Sequence, residues 1–239
     1  MNSNTSRQII QLNKDFYKKV SSDFSKTRQS PWKGWGRVVK KIDEHFKDRK
    51  LINVLDVGCG NGRFYEYLNE NIRDVKFKYT GLDINDDLLM EAKKKYDKAS
   101  WKHYDVAMDL CKITEKYDLV VAFGITHHIP GESFRKKWFK CLADLVKPSG
   151  FLIFTTWNYD VDDRFKQKIV TSSEIELEDG DYLLGWGKSK AQRYVHIYSE
   201  DEIQAITNPL GLCLAEYYKS DGKNEQLNSY HIFENTRIH

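Results

Sequence analysis

The sequence predicts an α/β fold: a doubly wound, seven-stranded sheet that is mostly parallel and has an antiparallel last strand. Short apolar runs alternate with amphipathic segments between residues 51 and 156, which is typical of parallel strands buried on both faces. Glycines cut off the first of these strands from residue 58 onward, as at the start of nucleotide-binding α/β folds. Two more strand-like runs, 212–219 and 227–234, close the sheet. We expect a single domain over residues 1–239.

An N-terminal helical region is predicted for residues 1–48. In the first helix, residues 6–25, apolar side chains recur at steps of three and four and form one stripe: Ile9, Leu12, Phe16, Val20 and Phe24. Ser30-Pro31 ends or turns this helix, because a residue before proline is biased away from the helical conformation. A second helix over residues 32–48 has an inward face of Val38, Val39, Ile42 and Phe46.

Strands and helices alternate in the middle of the chain. The predicted strands are residues 51–55, 76–82, 100–104, 117–123 and 150–156, and the helices pass through residues 64–68, 86–96 and 132–146. Pro148-Ser149-Gly150 marks the turn before the last parallel strand. Residues 158–198 break the rhythm with polar residues and an acidic run, so we expect an insertion or lid there. A helix near residues 199–207 precedes the two closing strands.

Positive charge is concentrated at the N-terminal end. Residues 1–50 contain 13 Lys and Arg against 5 Asp and Glu, a net charge of +8, whereas the whole chain carries +3. This asymmetry fits a polyanionic partner, because neutralising phosphates releases counterions. It also fits a solvated lysine-rich surface, since lysine side chains are mostly exposed in proteins.

The cysteines and the apolar runs argue against several classes of protein. Cys59, Cys111, Cys141 and Cys213 form no C-x-x-C pair, which disfavours a structural zinc site. Four scattered thiols in a chain of 239 residues indicate a reducing compartment rather than a disulfide framework. The sequence has neither a signal-peptide pattern nor the roughly 20 apolar residues of a membrane span. We therefore expect a soluble, cytoplasmic protein without a membrane partner.

The segment Asp56-Val57-Gly58-Cys59-Gly60-Asn61-Gly62 carries the strongest chemical signal. Its glycines allow a sharp turn and a close approach of the backbone to a ligand. The spacing is G-x-G-x-G, whereas a dinucleotide site needs G-x-G-x-x-G, and no G-x-x-x-x-G-K-[ST] run suggests a nucleoside triphosphate. Asp56 would repel a pyrophosphate yet could pair with an ammonium group, and Asp83, 21 residues after Gly62, can accept both hydroxyls of a ribose. A purely structural strand–helix corner is the alternative.

This combination resembles the class I methyltransferases, whose strand-end signature is D/E-x-G-x-G-x-G and whose fold is Rossmann-like. The resemblance implies that the chain binds S-adenosylmethionine, releases S-adenosylhomocysteine and uses no metal. The glycine turn would hold the methionine end, Asp83 the ribose, and Ile84 would lie along the adenine. Asp105 stands where the family often binds the adenine amino group, although it could be a turn or cap residue. The predicted cofactor-binding set is Asp56, Gly58, Gly60, Gly62, Asp83, Ile84, Asp105 and Phe123.

Two adjacent histidines, His127 and His128, follow the fourth strand. The carboxyl end of this strand adjoins the switch point of a doubly wound sheet, where ligands bind. On an extended segment neighbouring side chains point opposite ways, and no third ligand is evident in the sequence, so a metal site is not expected. Each histidine is predicted either to touch the acceptor of the reaction or to pack and hydrogen-bond structurally.

A closer resemblance covers residues 16–236. The segment Phe24-Ser25-Lys26-Thr27-Arg28-Gln29-Ser30-Pro31-Trp32 is similar to the F-S-x-T-R-x-x-P-W segment of the eukaryotic tRNA wobble-uridine methyltransferases, which methylate the carboxyl group of 5-carboxymethyluridine. The glycine turn, the paired histidines, Tyr194-Val195-His196-Ile197-Tyr198 and the end of the last strand also match that family. The chain departs from it at Ile129-Pro130, where the family usually carries a Trp, and between residues 160 and 190.

The resemblance also implies which residues meet the acceptor. A carboxylate is already ionised near neutral pH, so it needs alignment rather than a general base. Arg28 is the candidate to hold it bidentately, unless that arginine forms a structural salt bridge. His127, His128 and His196 would share this catalytic role or contact the base. Stacking on a flipped-out wobble base, or ordinary packing, is expected for Tyr17, Trp32, Tyr194 and Tyr198.

Two partners follow from the same resemblance. Lys26, Lys33, Arg37, Lys40 and Lys41 are expected to lie along the phosphates of a tRNA anticodon stem-loop. The family works with a small zinc-binding activator subunit that pairs along one sheet edge, so we expect a heterodimer. Two other functions stay open: a small-molecule O- or N-methyltransferase that shares the cofactor site, and a non-catalytic binding subunit that keeps the fold.

Overall fold

The computed structural model describes residues 1–27, 30–158, 166–170, 175–187 and 191–237, without the side chains of residues 22–24. Its helices are α1 (Ser3–Lys26), α2 (Trp35–Phe46), α3 (Arg63–Asn71), α4 (Asp86–Lys95), α5 (Glu132–Asp144) and α6 (Glu200–Thr207). Its strands are β1 (Leu51–Val57), β2 (Lys76–Asp83), β3 (Ser100–His103), β4 (Tyr117–Ala122), β5 (Val146–Trp157), β6 (Asp181–Gly185), β7 (Gln192–His196), β8 (Cys213–Ser220) and β9 (Asn228–Glu234).

The main sheet confirms the predicted fold class. It has seven strands in the order β3-β2-β1-β4-β5-β9-β8. Strands β3, β2, β1, β4 and β5 are parallel to one another, and the last strand, β9, runs antiparallel to both of its neighbours. The order reverses between β1 and β4, so the carboxyl ends of these two strands form the switch point at which ligands bind in such sheets.

Both faces of the central strands are buried, which explains their continuous apolar runs. Val54 and Leu119 pack into a core cluster beneath α2, α3 and α4. Leu55 and Val120 point to the other face and pack into a second cluster beneath α5 and α6. Because side chains alternate along a strand, one apolar run supplies both clusters.

Residues 158–198 contain more order than their polar composition indicated. Strands β6 and β7 form an antiparallel hairpin outside the main sheet. Leu183 and Tyr194 of this hairpin pack against Ile9 of α1, and all three side chains are almost completely buried. The hairpin was missed because apolar pairs such as Leu183-Leu184 lie between acidic and glycine-rich stretches, which mask their period. Residues 159–165, 171–174 and 188–190 of the predicted lid lie outside the described residues.

The expectation of four free thiols is wrong for one pair. Cys111 and Cys141 form a disulfide, with their Cα atoms 5.1 Å apart. Cys111 lies in a 3₁₀ turn, Leu110–Lys112, and Cys141 lies on α5, which packs against that turn. Cysteines 30 positions apart form no local motif that would indicate pairing, so only the folded chain shows that they meet. Cys59 is a buried free thiol and Cys213 an exposed one.

Candidate active site

A cavity of about 600 Å³ opens at the carboxyl ends of the central strands, where the switch point lies. We call its two sides the donor half and the acceptor half. The donor half is lined by Asp56, Gly58, Gly60, Asn61, Asp83, Ile84, Leu88, Val106 and Phe123. The acceptor half is lined by Tyr17, Trp32, His127, His128, Trp157, Lys168, Trp186 and Arg193.

The glycine turn of the donor half has backbone conformations that suit glycine. Gly58, Gly60 and Gly62 have φ angles of +81°, +55° and +83°. A Cβ atom on Gly62 would lie 2.7 Å from the indole of Trp101, whereas a Cβ atom on Gly60 would meet nothing within 4 Å. Gly62 is therefore required for packing, and Gly60 leaves open space beside the cavity into which a ligand can fit.

Asp83 joins the glycine turn to the start of α4. Its Oδ2 accepts the Gly60 N–H at 2.8 Å, and its Oδ1 accepts the Asn85 N–H at 2.9 Å. Burial raises the pKa of Asp83, while these backbone donors lower it. Each carboxylate oxygen can accept a further hydrogen bond, so the group can still take two ribose hydroxyls.

Asp56 lies at the end of β1 with 2% exposure and accepts a hydrogen bond from the Tyr79 hydroxyl. Burial raises the pKa of Asp56 to about 7, the Tyr79 hydrogen bond opposes that change, and the charge on Asp83 adds to it. A cation bound beside Asp56 would favour the ionised form and bring the pKa down again. The carboxyl group is thus suited to an ammonium group that enters the cavity.

Asp105 lies apart from the cavity. Its Oδ2 pairs with the ammonium of Lys14 on α1 at 2.5 Å, and its Oδ1 accepts the Met108 N–H at 3.1 Å. The neighbouring Val106 lines the donor half in its place. Asp105 thus has the geometry of a turn residue, which was the alternative considered in the sequence, and an ion pair joins it to α1. Phe123 does line the cavity and packs edge-on against Phe64 and Trp32.

The paired histidines occupy a 3₁₀ turn, Thr126–His128, so the expectation of an extended segment is wrong. Their rings lie 4.2 Å apart and both line the acceptor half. The His128 Nδ1 lies 2.9 Å from the Tyr194 carbonyl, and its Nε2 lies 2.6 Å from the Tyr17 hydroxyl. Since a carbonyl can only accept, Nδ1 carries the proton and the Tyr17 hydroxyl donates to Nε2. Burial lowers the pKa of His128 to about 3, with the charge of Arg193 adding to the effect.

Arg193 lines the acceptor half but was not among the residues predicted from the sequence. It lies on β7 with 7% exposure, and its Nη1 donates to the Tyr17 hydroxyl at 3.3 Å. The guanidinium carbon lies 5.4 Å from the ring centre of Trp157, 5.7 Å from that of Phe16 and 5.9 Å from that of Trp186. Its sequence signal was its place directly before Tyr194 in the matched segment. Because side chains alternate along a strand, Arg193 faces the cavity and Tyr194 does not.

Three predicted acceptor contacts are therefore corrected. His196 is 1% exposed and bonds to Asp181 and Glu202 at 2.6 and 2.7 Å. Tyr194 is completely buried and donates its hydroxyl to Asp181, while the Tyr198 hydroxyl donates to the Thr126 carbonyl. As far as the described chain defines the cavity, none of the three lines it. Packing of the hairpin accounts for their pattern in the sequence.

The remaining predicted acceptor residues are Tyr17, Trp32 and Arg28. Tyr17 and Trp32 line the cavity, and the Trp32 ring stacks on Trp35 at 5.4 Å. Arg28 lies outside the described residues. Three of the basic residues expected to meet phosphates are paired with acids: Lys33 with Glu225, Arg37 with Glu216 and Lys40 with Glu44.

The described residues offer neither a metal centre nor a membrane-spanning helix. They contain no group of three or more His, Cys, Asp or Glu side chains that could hold a metal ion. Among the same residues, no helix is both long and apolar enough to cross a membrane.

Sequence comparisons match the chain to known proteins over most of its length. The profile of a family described as "Methyltransferase domain" matches residues 27–217. A putative methyltransferase of Encephalitozoon cuniculi is 25% identical over 203 residues, which cover 84% of this chain and 87% of that protein. A tRNA (carboxymethyluridine(34)-5-O)-methyltransferase of Arabidopsis thaliana is 29% identical over 147 residues, 62% of this chain but 33% of that protein. A ubiquinone biosynthesis O-methyltransferase of Rickettsia canadensis is 22% identical and covers 75% of this chain and 70% of its own length.

Solved structures share the fold at low sequence identity. An S-adenosylmethionine-dependent methyltransferase from Clostridium acetobutylicum superposes with a TM-score of 0.64 at 17% identity, over 91% of this chain and 98% of its own. The magnesium protoporphyrin IX methyltransferase of Synechocystis, solved with bound S-adenosylmethionine, has a TM-score of 0.60 at 16% identity, over 94% and 96% of the two chains. These two likenesses show that the chain shares its fold with both proteins.

Proposed function

The chain belongs to the methyltransferase domain family, and from that premise we propose that it transfers a methyl group from S-adenosylmethionine to the carboxylate of 5-carboxymethyluridine at position 34 of tRNA. The coarser activity, S-adenosylmethionine-dependent methyl transfer, is shared by the solved structures with this fold. The choice of acceptor is supported by one observation above all. A buried guanidinium, that of Arg193, stands in the acceptor half among aromatic rings.

The donor half fits S-adenosylmethionine on its own geometry. Asp56 is a buried carboxyl group suited to the ammonium of the methionine moiety, and Asp83 has oxygens that can take the two ribose hydroxyls. Ile84 and Val106 supply apolar surface for the adenine. The space beside Gly60 lets the backbone lie close to the cofactor. When bound, this cofactor supplies an electrophilic methyl group on a sulfonium centre.

Arg193 suits an anionic acceptor with a planar ring. A guanidinium can hold both oxygens of a carboxylate, and it carries a delocalised positive charge. The rings of Trp157 and Trp186 lie beside this guanidinium, and both residues line the acceptor half. Base–aromatic stacking of about 1–3 kcal/mol per base would offset the cost of extracting a nucleobase. A uracil that carries a carboxymethyl group combines these two properties.

The chemistry needs alignment more than proton transfer. One carboxylate oxygen forms the new O–CH₃ bond as the S–CH₃ bond breaks, and the electron pair of that bond stays on sulfur, so no proton is released. This agrees with the state of His128, whose Nε2 lone pair is taken up by the Tyr17 hydroxyl and whose pKa lies at about 3. His128 is therefore a positioning group and a poor general base in this arrangement. Rate enhancement comes from orientation and from exclusion of water.

The test is nucleoside mass spectrometry after incubation of the enzyme with cofactor and tRNA. Three substrates are compared: tRNA bearing 5-carboxymethyluridine, the same transcript without modification, and total tRNA. A gain of one methyl group on the modified wobble nucleoside, reversed by mild alkali as expected for an ester, supports the proposal. Methylation of the unmodified transcript, or an alkali-stable product, contradicts it.

A second function is favoured by one comparison. The Rickettsia ubiquinone biosynthesis enzyme covers 75% of the chain, more than the Arabidopsis tRNA enzyme does. The alternative acceptor is therefore a hydroxyl group of a small molecule. Such a hydroxyl must lose a proton, so it needs a base with a pKa nearer neutrality than that of His128. Incubation of labelled cofactor with a metabolite extract, in parallel with total tRNA, separates the two acceptors.

We further propose a heterodimer with a small zinc-binding activator subunit, on the strength of the family resemblance. The main sheet ends in β3 on one side and β8 on the other, so either edge offers a strand to a partner. We expect the chain to be poorly soluble or inactive alone and to recover on co-expression with the activator. Full activity of the isolated chain would remove this proposal.

A further inference from the structure

The two faces of strand β7 make different contacts. Arg193 and Val195 share one face with Trp157, next to the cavity. Tyr194 and His196 share the other face, where both bond to the carboxylate of Asp181. The residue that would hold the acceptor therefore lies on a strand whose opposite face is attached to a polar network.

His196 is the centre of that network. Its Nδ1 lies 2.6 Å from Asp181 on β6, and its Nε2 lies 2.7 Å from Glu202 on α6. Arg135 of α5, itself 2% exposed, donates from Nε to the other oxygen of Glu202 at 2.9 Å. The imidazole thus connects the hairpin to α6, and Arg135 connects both to α5.

The outer edge of β7 is held as well. The Asn13 side chain accepts the Tyr194 N–H at 2.7 Å and donates to the Tyr194 carbonyl at 3.2 Å. His128 donates to the same carbonyl. Among the described residues this edge has no neighbouring strand, and side-chain groups of α1 and of the 3₁₀ turn take its place at Tyr194, the residue directly after Arg193.

We propose that His196 is a positioning residue: by bridging Asp181 and Glu202 it fixes β7 and so holds the Arg193 guanidinium in the acceptor half. What Arg193 binds rests on the function proposed above, but the mechanical link between His196 and Arg193 does not. The bridge requires both ring nitrogens to donate, which only the imidazolium can do. A neutral ring keeps one carboxylate and loses the other.

The groups around His196 favour the charged ring. Burial acts to lower the pKa of His196, but the hydrogen bonds that its ring donates to Asp181 and Glu202 outweigh this effect and raise the pKa above 6.5. The charged and titratable groups of the network are Asp181 and Glu178 beside β6, Tyr194 on β7, Tyr198, Glu202 on α6, Arg135 on α5 and the Met1 amino group. Three carboxylates thus face three cations when His196 is protonated. The stabilisation is complete below pH 6.5 and is lost as the pH rises through the folded-state pKa.

The test follows hydrogen exchange of the β6–β7 hairpin in the full chain between pH 6 and pH 9, corrected for intrinsic rates. In the wild type, protection of the amides of residues 192–196 should fall about tenfold as the pH rises. His196→Gln should show the low protection at every pH. His103→Gln is the matched control, since His103 also pairs with a carboxylate, that of Asp86, but at the surface. Hairpin protection that is the same in wild type and His196→Gln at all pH values overturns the proposal.

Steady-state kinetics provide the second measurement. His196→Gln should raise KM for the acceptor about tenfold while the affinity for S-adenosylmethionine stays unchanged. In an Arg193→Gln background the same substitution should cost almost nothing further, because its effect passes through Arg193. Additive losses in the double variant contradict the proposal. If the wild type methylates no tRNA carboxylate, the proposed function fails, yet the exchange experiment still decides the role of His196.

A more conservative variant tests the proposal even if His196→Gln does not fold. Glu202→Gln keeps the shape of the side chain and its acceptor oxygen but removes the charge that favours imidazolium. The fall in hairpin protection should then move to lower pH, whereas a purely structural role of His196 predicts no shift. An unshifted profile in this variant also overturns the proposal.

Discussion

The donor and acceptor halves of the cavity are assembled in different ways. The polar groups of the donor half come from one local segment, residues 56–62, and from Asp83 at the end of the adjacent strand. The acceptor half brings together Tyr17 of α1, His128 of a 3₁₀ turn and Arg193 of a separate hairpin, and the first and the last are 176 positions apart in the sequence. The difference teaches that a local motif can be recognised by spacing, whereas a site made of distant segments depends on how each strand is oriented.

The largest effect is expected in the donor half. Asp83→Ala removes the carboxylate that accepts two backbone N–H groups and that would take the ribose hydroxyls. Hydrogen bonds to charged groups contribute about 1.5–3 kcal/mol each, so the affinity for S-adenosylmethionine should fall at least about a hundredfold. Calorimetry of cofactor binding measures this. Asp86→Asn, at an exposed carboxylate of α4, is the matched control and should bind normally.

The next effect separates the two halves. Arg193→Gln should lower kcat/KM for the acceptor about thirty- to a hundredfold, since loss of a buried charge partner costs about 2–3 kcal/mol, and should leave cofactor affinity unchanged. Steady-state kinetics with calorimetry measures both quantities. Arg73→Gln, at an exposed arginine of the loop before β2, should behave as wild type. Equal loss of cofactor affinity in the Arg193 variant would mean that the halves are not independent.

A pH titration distinguishes the two halves, because binding to each half should change in the opposite direction as the pH rises. Since the pKa of Asp56 is about 7, its ionised fraction rises through neutral pH, and cofactor affinity should rise by up to about tenfold between pH 6 and pH 8. Asp56→Asn should bind weakly with a flat profile. The acceptor half should change in the opposite direction at higher pH, as His196 loses its proton. His128, with a pKa of about 3, stays neutral across this range and adds no pH dependence. Calorimetry at a series of pH values would contradict the assignment if the wild-type profile were flat.

The smallest effect is expected at Tyr17, whose hydroxyl connects His128 and Arg193 in the acceptor half. Tyr17→Phe removes the hydroxyl that donates to His128 and accepts from Arg193. A single hydrogen bond contributes about 0.5–1.5 kcal/mol, so kcat/KM for the acceptor should fall about three- to tenfold. Tyr67→Phe, on α3 and outside this cavity, is the control. A loss as large as that of Arg193→Gln would give Tyr17 a direct role in binding the acceptor.

The sequence by itself determined the frame of the molecule. The apolar runs predicted the seven strands, and the antiparallel last strand is confirmed. The glycine spacing predicted a turn in which three glycines have positive φ angles, and it put Asp56 and Asp83 beside the same cavity. These features could be predicted because they depend on local periodicity and on residues a few positions apart.

Only the tertiary structure decided which residues meet in the acceptor half. Arg193, Tyr194 and His196 are neighbours in sequence, yet alternation along β7 turns the first toward the cavity and the other two toward a buried ion network. The protonation of His128 follows from a carbonyl contributed by that strand, and Cys111 meets Cys141 across 30 residues. A sequence motif states which residues are present, but the face that each side chain occupies is set by strand pairing and by contacts between distant segments.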